Sequence, residues 1–280
     1  MKKCISSLLC AVMLMASVTV NAGVVGHIYK TDIKAYENYM QIPSYNCGGT
    51  TVVFVRDLEN YGYDVFWDSA ARKVFVSKKQ HLPWSPIVPV YEGDDSVGTV
   101  LFDVYSTDIR TYFENKEIKS YNIGGKTAIN FRDLDAGKNL KFDSATRRAT
   151  IFSKNISLTA KKINHIDYMY EILECMGKLD YSLEKAAKLI KEGKSDKKLS
   201  ERIKSEFEVF RELRDELQSY TEPDAFSEST MEIWWSVVNE ELAAELVMNS
   251  EDFDVGKFER YMLDSYQQRN NALLLLASEF

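Results

Sequence analysis

Two serine–lysine spacings are the first features of this chain that could do chemistry. Ser182-Leu183-Glu184-Lys185 and Ser195-Asp196-Lys197-Lys198 each set a serine three residues before a lysine, the spacing some acyl-transfer enzymes use to activate the serine. Both stand in lysine-rich, helix-patterned surface, and the companion motifs of those enzymes do not accompany them. The three histidines, His27, His81 and His165, are scattered, whereas a copper site needs several imidazoles converging on one point. No His-Glu-x-x-His, no phosphate-cradling glycine loop and no paired-cysteine metal spacing occurs. The sequence therefore offers no catalytic, cofactor-binding or metal-ligating constellation, and no cofactor is expected. The residues left as candidate contacts are large aromatics: Trp84, Trp234 and Trp235. Adjacent indoles on a helix cannot share one face, so one of Trp234 and Trp235 is expected in the core and the other toward solvent.

The start of the chain points to export. Lys2 and Lys3 precede an apolar run from Cys4 to about Val20, and Val20-Asn21-Ala22 supplies small residues at the positions a signal peptidase reads. Residues 1–22 are read as a signal peptide. No later apolar segment is long enough to cross a bilayer, so no membrane span is expected after cleavage. The formal net charge is −7 and becomes more negative once Lys2 and Lys3 leave, which argues against a nucleic-acid partner. Of four cysteines, only Cys47 and Cys175 lie beyond the leader. That is no disulfide framework, so packing must supply the stability.

The elements that would carry any site come as a repeat. Tyr29, Thr31, Asp32, Ile33 and Tyr36 recur as Tyr105, Thr107, Asp108, Ile109 and Tyr112. Ser44-Tyr45-Asn46, Gly48-Gly49 and Arg56-Asp57-Leu58 recur as Ser120-Tyr121-Asn122, Gly124-Gly125 and Arg132-Asp133-Leu134. Beyond one deletion near Gly137, Asp68-Ser69-Ala70 and Arg72 recur as Asp143-Ser144-Ala145 and Arg147. Each copy reads as a hairpin, a Gly-Gly turn, a β-branched strand, a helix of a turn or two ended by Gly62 or Gly137, and a second hairpin. Cys47 aligns with Ile123, which makes it a small core residue rather than a nucleophile.

This pattern resembles the copper amine oxidase N-terminal-like domain, or stalk domain, which recurs in tandem in exported bacterial proteins. The hydrophobic strands, the Tyr-Asn-x-Gly-Gly turn, the Arg-Asp-Leu helix start and the Trp-Asp or Phe-Asp hairpin carry the resemblance, over roughly residues 25–155. The family's oxidase chemistry belongs to a separate catalytic domain with a tyrosine-derived cofactor in an Asn-Tyr-Asp/Glu motif and three histidine copper ligands. Here Asn38-Tyr39 is followed by Met40 and Asn60-Tyr61 by Gly62, so the resemblance implies no amine oxidase activity.

Between the copies, Pro83, Pro86 and Pro89 predict a stiff, extended linker. From about Ser157 the apolar period becomes helical. It predicts a first helix with a break near Gly177, a second to about Tyr220, a third carrying Trp234 and Trp235, and a fourth capped by Asn249-Ser250. Residues 221–280 hold 3 basic against 13 acidic side chains, a solvated acidic pair of helices or a docking face for a cationic partner. The expected fold class is α+β: two small repeats, each an antiparallel sheet with one short helix, followed by an all-α antiparallel helical bundle. The expected domains are residues 23–80 and 98–156 for the repeats, 81–97 for the linker and 157–280 for the bundle. The expected function is that of a secreted or cell-surface, non-enzymatic interaction protein. Its repeats would bind or space, and its bundle would recognise a cell-wall component or another exported protein. The alternative is an envelope-acting enzyme with a site in the helical half or the domain cleft.

Overall fold

The turns of each copy are fixed by the residues the repeat keeps. Asn46 and Asn122 each accept a 3.0 Å hydrogen bond from the backbone N–H of Gly49 and Gly125. The glycine pairs of both turns adopt positive φ, from 56° to 85°, a region costly for residues with a Cβ. The computed structural model describes residues 23–79, 85–88, 96–135, 139–152, 158–217, 225–249 and 253–278. The leader, Trp84, Gly137 and most of the linker lie outside the described residues.

The first copy forms β1 (Val24–Tyr29), β2 (Lys34–Glu37), β3 (Met40–Ile42), β4 (Tyr45–Cys47), β5 (Thr50–Phe54), a 3₁₀ turn over Arg56–Tyr61, β6 (Tyr63–Asp68) and β7 (Lys73–Lys78). The second forms β8 (Val100–Tyr105), β9 (Arg110–Phe113), β10 (Lys116–Ile118), β11 (Ser120–Ile123), β12 (Lys126–Asn130), a 3₁₀ turn over Phe131–Asp135, β13 (Leu140–Asp143) and β14 (Arg148–Ile151). The mixed fold class is as expected, with sheets in the N-terminal half and, among the described residues, four helices following.

The partners of these strands are the finding. Neither copy closes a sheet of its own. A closed barrel runs β1-β4-β5-β12-β11-β8, and two flanking sheets run β10-β9-β7-β6 and β13-β14-β2-β3. Every sheet mixes strands of both copies. The hairpins are antiparallel, but β7 joins β9 and β14 joins β2 in parallel, so the flanking sheets are mixed rather than wholly antiparallel. At the barrel seams Val53 pairs with Ile129 and His27 with Asp103, each residue opposite its own counterpart. A pseudo-twofold axis therefore relates the copies. Inside the barrel all six strands contribute, through Ile28, Cys47, Val52, Phe54, Val104, Ile123 and Ala128. The alternate residues Val53 and Ile129 belong to the larger core that surrounds it.

The repeated charged residues clasp one copy to the other. Arg72 holds Asp108 with two bonds of 2.6 Å, and Arg147 holds Asp32 with bonds of 3.0 and 2.8 Å. Both are bidentate guanidinium–carboxylate pairs, which fix direction as well as distance. Backbone bonds run alongside, from Arg110 N–H to the Arg72 carbonyl and from Lys34 N–H to the Arg147 carbonyl.

The helices are α1 (Ala160–Lys191), α2 (Lys197–Leu217), α3 (Ala225–Met248) and α4 (Val255–Ala277). Thr159 caps α1 by accepting from Lys162 N–H. Gly177 does not break α1; the helix continues through it because neighbours such as Met176 and Leu179 are buried in the core. The cap of α4 is Asp254, accepting from Lys257 N–H at 3.1 Å, rather than Asn249-Ser250. The helical half is not a separate hydrophobic body. Tyr36, Met40 and Ile42 of the sheets share one contiguous core with Ile166, Met169, Tyr170 and Leu173 of α1.

Because each flanking sheet needs both copies, the first copy alone (residues 23–80) should not yield a folded monomer. Light scattering with circular dichroism checks this; an unfolded chain or a self-paired dimer is expected, and a cooperative monomer would contradict the interleaving.

Candidate functional site

The two flanking sheets have equivalent outer faces, and their fates differ. On the sheet β13-β14-β2-β3 the outward residues Lys141, Thr150, Tyr36 and Gln41 stand in one cross-strand row. Helix α1 lies over it. The Tyr170 ring meets the Tyr36 ring edge-on, at 5.9 Å and 88°, and the Gln41 N–H donates to the Tyr170 hydroxyl at 3.0 Å. Two ion pairs of 2.5 Å flank this contact, Lys34 to Glu174 and Arg148 to Asp167. The Arg148 guanidinium also sits 4.4 Å from the centre of the Tyr36 ring. Burial pushes the Tyr36 phenol up to about 12, so it remains a neutral donor and donates a hydrogen bond to the Gln41 side-chain oxygen. The side chains around this contact line a groove of about 430 Å³.

On the sheet β10-β9-β7-β6 the same row reads Phe66, Phe75, Tyr112 and Glu117. Phe66 is 61% exposed, and Phe75 and Tyr112 are half-buried. Their rings stack across three strands, at 6.3 Å and 30° and then at 5.3 Å and 20°. Lys73 lies 5.6 Å from the Tyr112 ring centre, where Arg148 lies over Tyr36. Arg110 takes the place of Lys34, and the Tyr112 hydroxyl donates to Glu117 as that of Tyr36 donates to Gln41. An aromatic ladder flanked by two cations is thus displayed on the surface. Pairwise comparison of the copies could have found it, since Phe66 and Phe75 stand where Lys141 and Thr150 stand.

The residues singled out from the sequence are dispersed. Trp234 is half-buried against the core, Trp235 is 48% exposed, and the two indoles meet edge-on at 4.8 Å. His27 is exposed and bonded to Asp103 at 2.9 Å, whereas His165 is buried in α1 and bonded to Thr230 at 3.2 Å. Cys47 lies in the barrel and Cys175 on α1, both as free thiols that burial pushes up. Ser182 is fully buried and Ser195 lies in the exposed turn after α1, so they share neither surroundings nor partners. Among the described residues no group of three or more His, Cys, Asp or Glu side chains could hold a metal ion.

A cluster that spacing did not reveal lies inside the helices. Arg269 of α4 bonds Asp180 of α1 at 2.7 Å and lies 3.4 Å from Glu240 of α3. Ser265 donates to Glu240 at 2.9 Å and meets Ser236 at 2.7 Å. Burial, then the neighbouring Asp180, push the Glu240 carboxyl well above the usual range. Burial likewise raises Asp180. One guanidinium thus faces two carboxyls, and the upward shift at Glu240 favours its neutral form, which lowers the excess negative charge. Glu240 is wholly enclosed, so this network locks α1, α3 and α4 together rather than facing a substrate.

No family model, curated protein or solved structure matches the chain. Among the described residues no helix is long and apolar enough to cross a membrane.

Arg269→Ala should cost about 3–5 kcal/mol, because it leaves buried carboxyls without their cation; urea unfolding measures it. Glu240 holds a proton in the folded state that the unfolded chain releases above the ordinary value of 4.5. Its contribution is therefore fully present below that value and lost as pH rises through the folded pKa. Glu240→Gln should match the parent near the low end of this window and exceed it increasingly as pH rises. A constant difference across pH would refute the upward shift at Glu240.

Proposed function

We propose that the chain is an exported, non-enzymatic interaction protein whose interleaved repeats present a binding face. The observation that carries this is the ladder Phe66, Phe75 and Tyr112 with Lys73 and Arg110. Its equivalent on the other sheet is already used for docking, by α1. Solvent-facing strand positions ordinarily take polar residues. Replacing Lys and Thr by two phenylalanines at such positions costs solubility unless the face is covered in use. The apolar run and cleavage pattern of residues 1–22 support an extracytoplasmic location. The resemblance to stalk domains is consistent with display outside the cell, where a cell-wall component or another exported protein would be the partner. The half-exposed Trp235 is a secondary contact candidate on the acidic helices. The enclosed setting of Asp180, Glu240 and Arg269 favours a structural role for this acid pair over catalysis.

Phe66→Lys with Phe75→Thr writes the covered copy's residues onto the exposed ladder. The double variant should unfold as cooperatively as the parent, yet lose retention by isolated cell walls and by immobilised exported proteins. Unchanged retention would remove the ladder from the binding site.

A further inference from the structure

Resting on that reading, we infer that the exposed ladder receives an amphipathic helix of another polypeptide, one that carries an acid, an aromatic three residues on and a second acid four beyond it. The pattern is the one α1 presents to the equivalent face, through Asp167, Tyr170 and Glu174. The two cations and the tyrosine that hold α1 have counterparts on the exposed face. Arg148 over Tyr36 becomes Lys73 over Tyr112. Lys34, opposite Arg148 in the parallel register, becomes Arg110 opposite Lys73. Lys73 would take the first acid and Arg110 the second. Helical spacing puts all three partner residues on one face, so a helix meets this arrangement.

Charge and ring geometry select this occupant over a glycan. Acidic side chains complement two cations that face outward. Among the described residues the ion pair of Arg110 is with Glu117, at 3.8 Å, and both are exposed, a weak, screened contact that a partner acid displaces. A sugar needs an open aromatic face to stack on. Here the rings of Phe66, Phe75 and Tyr112 stack on one another and Lys73 lies over the Tyr112 ring, so much of the ring face is already occupied. Another aromatic meets ring edges and faces favourably, as Tyr170 does on Tyr36. Phe66 and Phe75 add apolar area that Lys141 and Thr150 do not offer, so the incoming helix needs apolar residues beside its aromatic.

The test uses the full chain and a synthetic peptide of residues 160–181, labelled for fluorescence anisotropy. Binding is expected, and Lys73→Glu with Arg110→Glu should weaken it about tenfold or more. A peptide carrying Asp167→Lys and Glu174→Lys should fail on the parent and bind the charge-reversed chain, a swap that misfolding or general stickiness cannot produce. Absence of binding, or binding blind to both reversals, overturns the helix. Soluble wall glycans form the second arm. Glycan binding lost in Phe66→Lys with Phe75→Thr but kept on charge reversal would retain the ladder as a binding face and replace the helix by a carbohydrate. Failure of every probe on the ladder would remove both readings.

Discussion

Strand pairing between the copies is the constraint on which the rest depends. A β-strand left with an open edge exposes unpaired N–H and C=O groups, and small sheets bury too little to stand alone. Here β2 and β3 need β14, and β9 and β10 need β7, so neither copy satisfies its own edges. The bidentate Arg72–Asp108 and Arg147–Asp32 pairs stand just before those parallel seams and hold their register. With the seams in place, two outer faces are generated by near-symmetry. Symmetry of the backbone then lets different side chains give them different roles.

The helical half breaks that symmetry. Helix α1 follows β14 in the chain, covers the nearer face and shares its core. The buried Asp180, Glu240 and Arg269 tie α1 to α3 and α4. The helix that covers Tyr36 is thereby held in place from its other side. A buried polar network of this kind adds little net stability compared with an apolar replacement, yet breaking it by removing one partner is costly. The fold thus contains a docked state and, a pseudo-twofold away, its open counterpart.

Much of this was legible in the residues. The Asn46 and Asn122 turns with their glycine pairs, the strand runs such as Thr51–Val55 and the four helical periods all lie where spacing placed them. That one indole leans on the core, half-buried, while the other is more exposed follows from helix geometry. Strand partnership did not follow, and the reason is physical. Any position in one copy has the same pattern in the other, so pairing within and between copies satisfies the same alternation. The α4 cap was misplaced because Asn249 and Asp254 are both competent cap residues, and only the chain path selects between them. The buried Arg269 cluster was illegible because its members lie on three helices far apart in sequence. The ladder was half legible: the contrast of Phe66 and Phe75 with Lys141 and Thr150 was present, but only the fold says that these positions form one row.

The central claim is that the exposed face is the open twin of the one α1 covers. Hydrogen–deuterium exchange of the full chain, with and without the peptide of residues 160–181, tests it most directly. Slowed exchange confined to β6, β7 and β9, with β2 and β14 unchanged, is the result this account predicts. Protection that falls on α3 and α4 instead, or displacement of α1 with changes at β2 and β14, would contradict it.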